Sequence, residues 1–161
     1  TLEFTKDDVR ITTHYYEDSF ESSMYSVIHE GGHALYELGG ADEHKYTVVA
    51  GGVSMGIHES QSRFYENLLG RDRAFVETVF PKICEAFPEQ MKGYTAEDVY
   101  RAINLVQPSL IRTEADEVTY CLHVMVRYEL EKRIMSGELA VRDLPAGGNF
   151  PVCGKSVHGS A

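Results

Sequence analysis

The segment Val27-Ile28-His29-Glu30-Gly31-Gly32-His33-Ala34-Leu35 constrains this chain more than any other stretch. It places H-E-x-x-H inside an apolar pattern (Phe20, Met24, Val27, Ile28, Leu35, Leu38) whose spacing predicts a helix over Tyr15 to Leu38, stopped by Gly39-Gly40. On a helix, His29 and His33 stand one turn apart, so both imidazoles leave the same face and can grip one metal ion. Glu30 sits beside them, placed to take a proton from water. The adjacent Gly31 and Gly32 oppose helix formation, each by about 0.5–1 kcal/mol relative to Ala. Two such residues in one helix imply that something approaches its backbone closely.

A catalytic zinc site holds three protein ligands and keeps a fourth position open. The third candidate lies 26 residues after His33, at Glu59, in the polar segment Gly56 to Asn67. That interval suits a loop, a short strand and a second helix over Ile57 to Leu69 that ends at Gly70. Glu59, Arg63 and Glu66 share the polar face of that helix, which read alone is also the pattern of a solvated face.

Three segments in this order resemble the metallocarboxypeptidases of the carboxypeptidase Taq type, peptidase family M32. They are His29-Glu30-Gly31-Gly32-His33, His58-Glu59-Ser60-Gln61-Ser62-Arg63, and Ile111-Arg112-Thr113-Glu114-Ala115-Asp116-Glu117. The family is marked by H-E-x-x-H, H-E-S-Q and I-R-x-x-A-D, and Asp8 to Thr13 is similar to its stretch ahead of the metal helix. The resemblance implies His29, His33 and Glu59 as ligands of Zn²⁺, with Co²⁺ a substitute, and Glu30 as general base. It also implies Arg112 on the substrate side, where a guanidinium fork matches a C-terminal carboxylate. His58, Asp116 and His123 are candidates for supporting the site from behind, since groups that orient metal ligands are common. For His58 a purely structural role stands as the alternative. For Arg112 the alternative is a salt bridge with Glu114 or Asp116.

The resemblance covers residues 1–145, expected to form a single catalytic-core domain that is a fragment of the larger family fold. An H-P-F motif expected before Thr1 and a G-x-x-Q-D-x-H-W motif expected after Pro145 are missing, so the start reads as a cut and residues 146–161 as an atypical, frayed tail. The expected fold is mainly α, a zincin-like helical core with a small β element beside the metal helix, drawn from residues 9–13 and 47–55. An amphipathic helix is expected over Arg71 to Phe87, kinked or split by Pro81. Thr95-Ala96-Glu97-Asp98 resembles a capping box with Asp for Glu, opening a helix through Leu105. A long helix follows over Glu114 to Ser136, closed by Gly137, with Asp116 and His123 on one face and Met125, Tyr128, Leu130 and Ile134 in the core.

A net charge of −10 removes the basic field that nucleic-acid binding needs. No apolar run reaches membrane length and no signal peptide is present, so a cytoplasmic location is expected. Cys84, Cys121 and Cys153, odd in number and without metal-type spacing, read as buried free thiols. Peptides with a free C-terminus are the expected partners, and the resemblance implies homodimers. Two alternatives stay open: a gluzincin of aminopeptidase or endopeptidase specificity, and a non-catalytic zinc-binding fragment.

Overall fold

The computed structural model describes residues 2–144 together with the pairs 151–152 and 155–156. It divides into two compact units, residues 1–103 and 104–161, each of which is taken by itself.

The first unit opens with an antiparallel hairpin of β1 (Leu2–Thr5) and β2 (Asp8–Arg10), which pairs Leu2 with Arg10 and Glu3 with Val9. Strand β2 thus ends at Arg10, short of the expected Thr13. Helix α1 (Phe20–Leu38) carries the H-E-x-x-H segment. It starts five residues later than its apolar pattern suggests because Ser19 caps it, the hydroxyl accepting from the Ser22 N–H. Gly39 ends it in a right-handed conformation.

Residues 47–55 do not form the expected strand. Thr47 N–H donates to the His44 carbonyl at 3.0 Å and Ala50 N–H to the Thr47 carbonyl at 3.2 Å, so the backbone turns on itself. Tyr46 (φ 67°) and Gly51 (φ 87°) both lie in the left-handed region, which no strand tolerates. Val48, Val49 and Val53 are exposed. Their β-branched character favours strands only where a neighbouring edge and a packing face exist.

Helix α2 (Met55–Arg63), capped by Ser54, runs directly into a π-helical stretch over Phe64–Leu69. Its wide turn closes with the Gly70 N–H on the Tyr65 carbonyl at 2.8 Å. Helices α1 and α2 touch backbone to backbone. A Cβ placed on Gly32 would lie 2.7 Å from the Ser62 Cα, and Ser62 is wholly buried. Gly32 is therefore the close approach that the paired glycines imply, whereas a Cβ on Gly31 would meet nothing within 4 Å.

Helix α3 (Arg73–Ala86) continues unbroken through Pro81. Pro81 and Glu77 are both exposed, so the carbonyl deprived of its N–H faces solvent instead of the core. Helix α4 (Ala96–Ile103) opens on the expected box. Thr95 N–H donates to Asp98 Oδ2 at 2.9 Å while Asp98 N–H donates to Thr95 Oγ1 at 3.2 Å. The core gathers Tyr25 of α1, Val76 of α3 and Ile103 of α4, packed round by Met24, Ile28, Val99 and Tyr100. Burial pushes the Tyr25 phenol up to about 12, against the lowering charge of Arg71, and its hydroxyl donates to the Gly70 carbonyl at 2.8 Å.

The second unit holds a 3-10 turn (Arg112–Glu114), helix α5 (Glu117–Met135), and strands β3 (Pro151–Val152) and β4 (Lys155–Ser156), paired antiparallel. The rest of the expected tail lies outside the described residues. Helix α5 begins later than expected because Asp116 caps it, accepting from the Val118 and Thr119 N–H groups at 2.9 Å each. Gly137, at φ 77°, supplies the left-handed residue that ends it. Met125 and Tyr128 are exposed, contrary to their expected core role, because apolar residues surround α5 instead of forming one stripe. Cys121 is also exposed and Cys84 half-buried, which corrects the expectation of buried thiols; Cys153 lies outside the described residues. Among the described residues, no helix is long and apolar enough to cross a membrane.

Three outcomes follow in unfolding experiments. Gly32→Ala should destabilise by about 1–3 kcal/mol, because the Ser62 backbone must move, while Gly31→Ala should gain about 0.5–1 kcal/mol from helix propensity. Thr119 and the α5 N–H groups hold the Asp116 carboxyl down at about 2. Its contribution to stability is present above the ordinary carboxylate range near ~4 and fades as pH falls through about 2. Circular dichroism of Asp116→Asn should lack that acid dependence.

Candidate metal centre

Helical spacing on α1 and the Gly32–Ser62 contact together create the site. The first puts His29 and His33 on one face; the second brings α2 close enough for Glu59 to reach them. His29 Nε2 and His33 Nε2 each lie 3.5 Å from Glu59 Oε2. One ligand atom from each of the three residues lies within 4.8 Å of the others. Around a tetrahedral ion with bonds of ~2.0–2.2 Å, ligand atoms sit ~3.3–3.6 Å apart. The two histidine-to-carboxylate separations fit that edge and are long for hydrogen bonds. The donor set is borderline in softness and suits a divalent transition metal.

Each donor is held from behind. His29 Nδ1 meets Glu66 Oε2 at 2.7 Å. A carboxylate only accepts, so the His29 proton resides on Nδ1 and Nε2 is left bare on the side of Glu59. Burial works against the Glu66 carboxylate, but the His29 hydrogen bond and the charges of Arg63, His29 and Arg71 outweigh it and hold its pKa below the ordinary range. Arg63 ties the two carboxylates together, donating through Nε to Glu59 Oε1 and through Nη1 to Glu66 Oε2, both at 3.1 Å. The buried Ser62 hydroxyl lies between the Glu59 carbonyl at 2.8 Å and Glu59 Oε2 at 3.0 Å. The π-helical stretch carries Glu66 on the α1-facing side, two turns beyond Glu59.

His33 is 8% exposed, and burial, followed by the charge of His29, lowers its pKa and favours the neutral form that a metal requires. Its Nδ1 lies 3.0 Å from His58 Nδ1, and His58 Nε2 is hydrogen-bonded to Glu37 Oε1. His58 thus lies between a candidate ligand and Glu37. Glu30, half-buried on α1, adds negative potential at His33.

Arg112, Asp116 and His123 belong to the second unit. The Arg112 guanidinium hydrogen-bonds the Tyr120 hydroxyl and lies 5.2 Å from that ring's centre. Both Asp116 oxygens are engaged, Oδ1 by the α5 cap and Oδ2 by Thr119 Oγ1 at 2.6 Å and Gln107 N–H at 3.1 Å. Asp116 is the N-cap of α5, seven residues before His123 on that helix.

Glu37, Glu66 and Arg63 as supports were missed in the sequence. Glu37 follows His33 at the same four-residue interval that separates His29 from His33, a signal that was available. Glu66 lies seven residues from Glu59 on one polar face, which resembles a solvated stripe until α1 is packed against it.

The sequence pattern of the carboxypeptidase Taq (M32) metallopeptidase family matches residues 1–149. The chain is 51% identical over 145 residues to thermostable carboxypeptidase 1 of Pyrococcus furiosus, covering 90% of this chain and 29% of that protein. Over 138 residues it is 53% identical to thermostable carboxypeptidase 1 of Thermus thermophilus, covering 86% of this chain and 27% of that protein. The solved structure of the Pyrococcus furiosus carboxypeptidase superposes with a TM-score of 0.86 at 49% identity, over 92% of this chain and 30% of that one. The chain therefore spans under a third of each relative's length. Across that span the agreement takes in both helices that carry the three donors, and the chain belongs to the carboxypeptidase Taq (M32) metallopeptidase family.

Proposed function

We propose that this chain carries the metal site and general base of a zinc metallocarboxypeptidase that removes C-terminal residues from peptides. The observation that carries the reading is the convergence of His29 Nε2, His33 Nε2 and Glu59 Oε2 at tetrahedral-edge separations, with Glu30 on the same helix.

His29, His33 and Glu59 would hold Zn²⁺, with Co²⁺ as a substitute, and three protein ligands leave one position for chemistry. Zinc, when bound, supplies Lewis acidity that polarises a carbonyl and acidifies water towards a pKa of ~7. Glu30 takes the proton of the attacking water and passes it to the leaving amine. Glu66 and Arg63 keep His29 and Glu59 from turning away. Arg112 enters the reading through its motif: its planar fork would receive the substrate's terminal carboxylate in two parallel hydrogen bonds. Such a contact makes cleavage exo, and a peptide with an amidated C-terminus is then a poor substrate. The activity is that of the whole protein to which these residues contribute.

Elemental analysis of the purified chain should find about one zinc per chain, with a marked loss in Glu59→Ala. Glu30→Gln should keep its zinc and lose hydrolysis by ~10²-fold or more. Turnover of a metal-loaded Glu30→Gln protein at the parental rate would sink the base assignment. Equal cleavage of free and amidated peptides would redirect the reading to an endopeptidase or aminopeptidase.

A further inference from the structure

Glu37 belongs to none of the three motifs, yet this carboxyl-bearing residue is only 6% exposed, which demands a reason. Its Oε1 takes two hydrogen bonds, one from the Gly52 N–H at 3.2 Å and one from His58 Nε2. Its Oε2 is buried and, the Glu3 carboxyl aside, meets no donor among the described residues. The neighbour on that side is the Glu3 carboxyl of β1, whose proton is held more tightly because of burial and its hydrogen bond to Glu37. Glu37 is thus fixed by the hairpin on one side and by the loop after α1 on the other.

Counting protons along this chain gives it a direction. A carboxylate can only accept, so a neutral His58 keeps its one proton on Nε2, facing Glu37. His58 Nδ1 is then a lone pair. It lies 3.0 Å from His33 Nδ1, so the proton between the two rings must come from His33. With that proton on Nδ1, His33 Nε2 is bare and faces Glu59 Oε2. Take away the acceptor at position 37 and the order can reverse. His58 then protonates Nδ1, His33 accepts there, and the His33 proton moves to Nε2, the atom a metal needs free.

We propose that Glu37 is a positioning residue that sets the direction of the Glu37–His58–His33 hydrogen-bond chain and so keeps His33 Nε2 bare for metal, with Gly52 holding His58 in line. The inference rests on the metal site proposed above and assigns that site a control point two residues removed from the ion. Gly52 belongs to it through space as well as through its N–H. A Cβ there would overlap the His58 ring and lie 2.9 Å from the Tyr36 ring, so only glycine lets the loop lie against His58.

Nitrogen-15 NMR of the histidines in the zinc-free full chain tests the direction without reference to metal. The parent should show the His33 proton on Nδ1, and Glu37→Leu should shift it towards Nε2. A parent with that proton on Nε2 overturns the proposal, whether or not the chain binds zinc. Chelator competition with Zn²⁺ then reads the consequence. Glu37→Leu should bind ~10–100-fold more weakly, and Gly52→Ala should weaken binding in the same direction by displacing His58. Glu37→Gln keeps an acceptor oxygen and should recover most of the loss. Parental affinity in Glu37→Leu, or no recovery in Glu37→Gln, overturns the role. The visible spectrum of the Co²⁺-loaded variants separates an altered ligand set from a general loss of fold, which melting of the zinc-free proteins reports. A parent that binds no Zn²⁺ while His33 keeps its proton on Nδ1 would instead overturn the metal-site reading.

Discussion

The contact between Gly32 and Ser62 is the constraint on which the site depends. Two helices whose backbones meet this closely leave no room for a Cβ on one side and only a serine on the other. The cost of a glycine in the middle of a helix is offset by what the approach permits: short side chains from α1 and α2 can share one point in space. The helical propensity lost at Gly32 and the geometry gained at Glu59 are two sides of one sequence choice.

Around that contact the polar groups form a closed set of supports and not a scatter of ion pairs. Arg63 links Glu59 to Glu66, Glu66 holds His29, and His58 joins His33 to Glu37. Each contact removes a rotamer from a side chain that must not move. The helices doing this are anchored elsewhere, by Tyr25, Val76 and Ile103 in the core and by the Tyr25 hydroxyl on Gly70. That hydrogen bond pins the end of the π-helical stretch and therefore the segment that carries Glu66.

Much of this was legible from residues close together in sequence. The His29–His33 pair, the Thr95–Asp98 box and the amphipathic pattern over Arg71 to Phe87 are local patterns, set by helical spacing and by capping within a few residues. Glu59 was legible through its motif. The strand expected over residues 47–55 was not there, because β-branched residues report a preference that only a partner edge can realise. The start of α1 was misplaced because one capping hydroxyl, Ser19, outweighs an upstream run of aromatic residues. Glu37 escaped because its role requires knowing that His58, 21 residues away, returns to the same face of α1. Met125 and Tyr128 were expected inside because they are apolar, but an apolar residue is buried only when something covers it.

The bridge made by Arg63 also bears on the balance of charge. Glu59 and Glu66 bring two negative charges to the site against the one positive charge of Arg63, and Glu30 adds negative potential at His33, so the site is net negative around two histidines that are neutral when metal-competent. A divalent cation at that point is then a counter-ion to the fold as well as a reagent. Any ion that binds the folded chain and not the unfolded one raises stability in proportion to the logarithm of its concentration over its dissociation constant. Metal supply and folding would thereby be linked: an ion held by donors from both helices would tie the packing of α1 on α2 to its own binding.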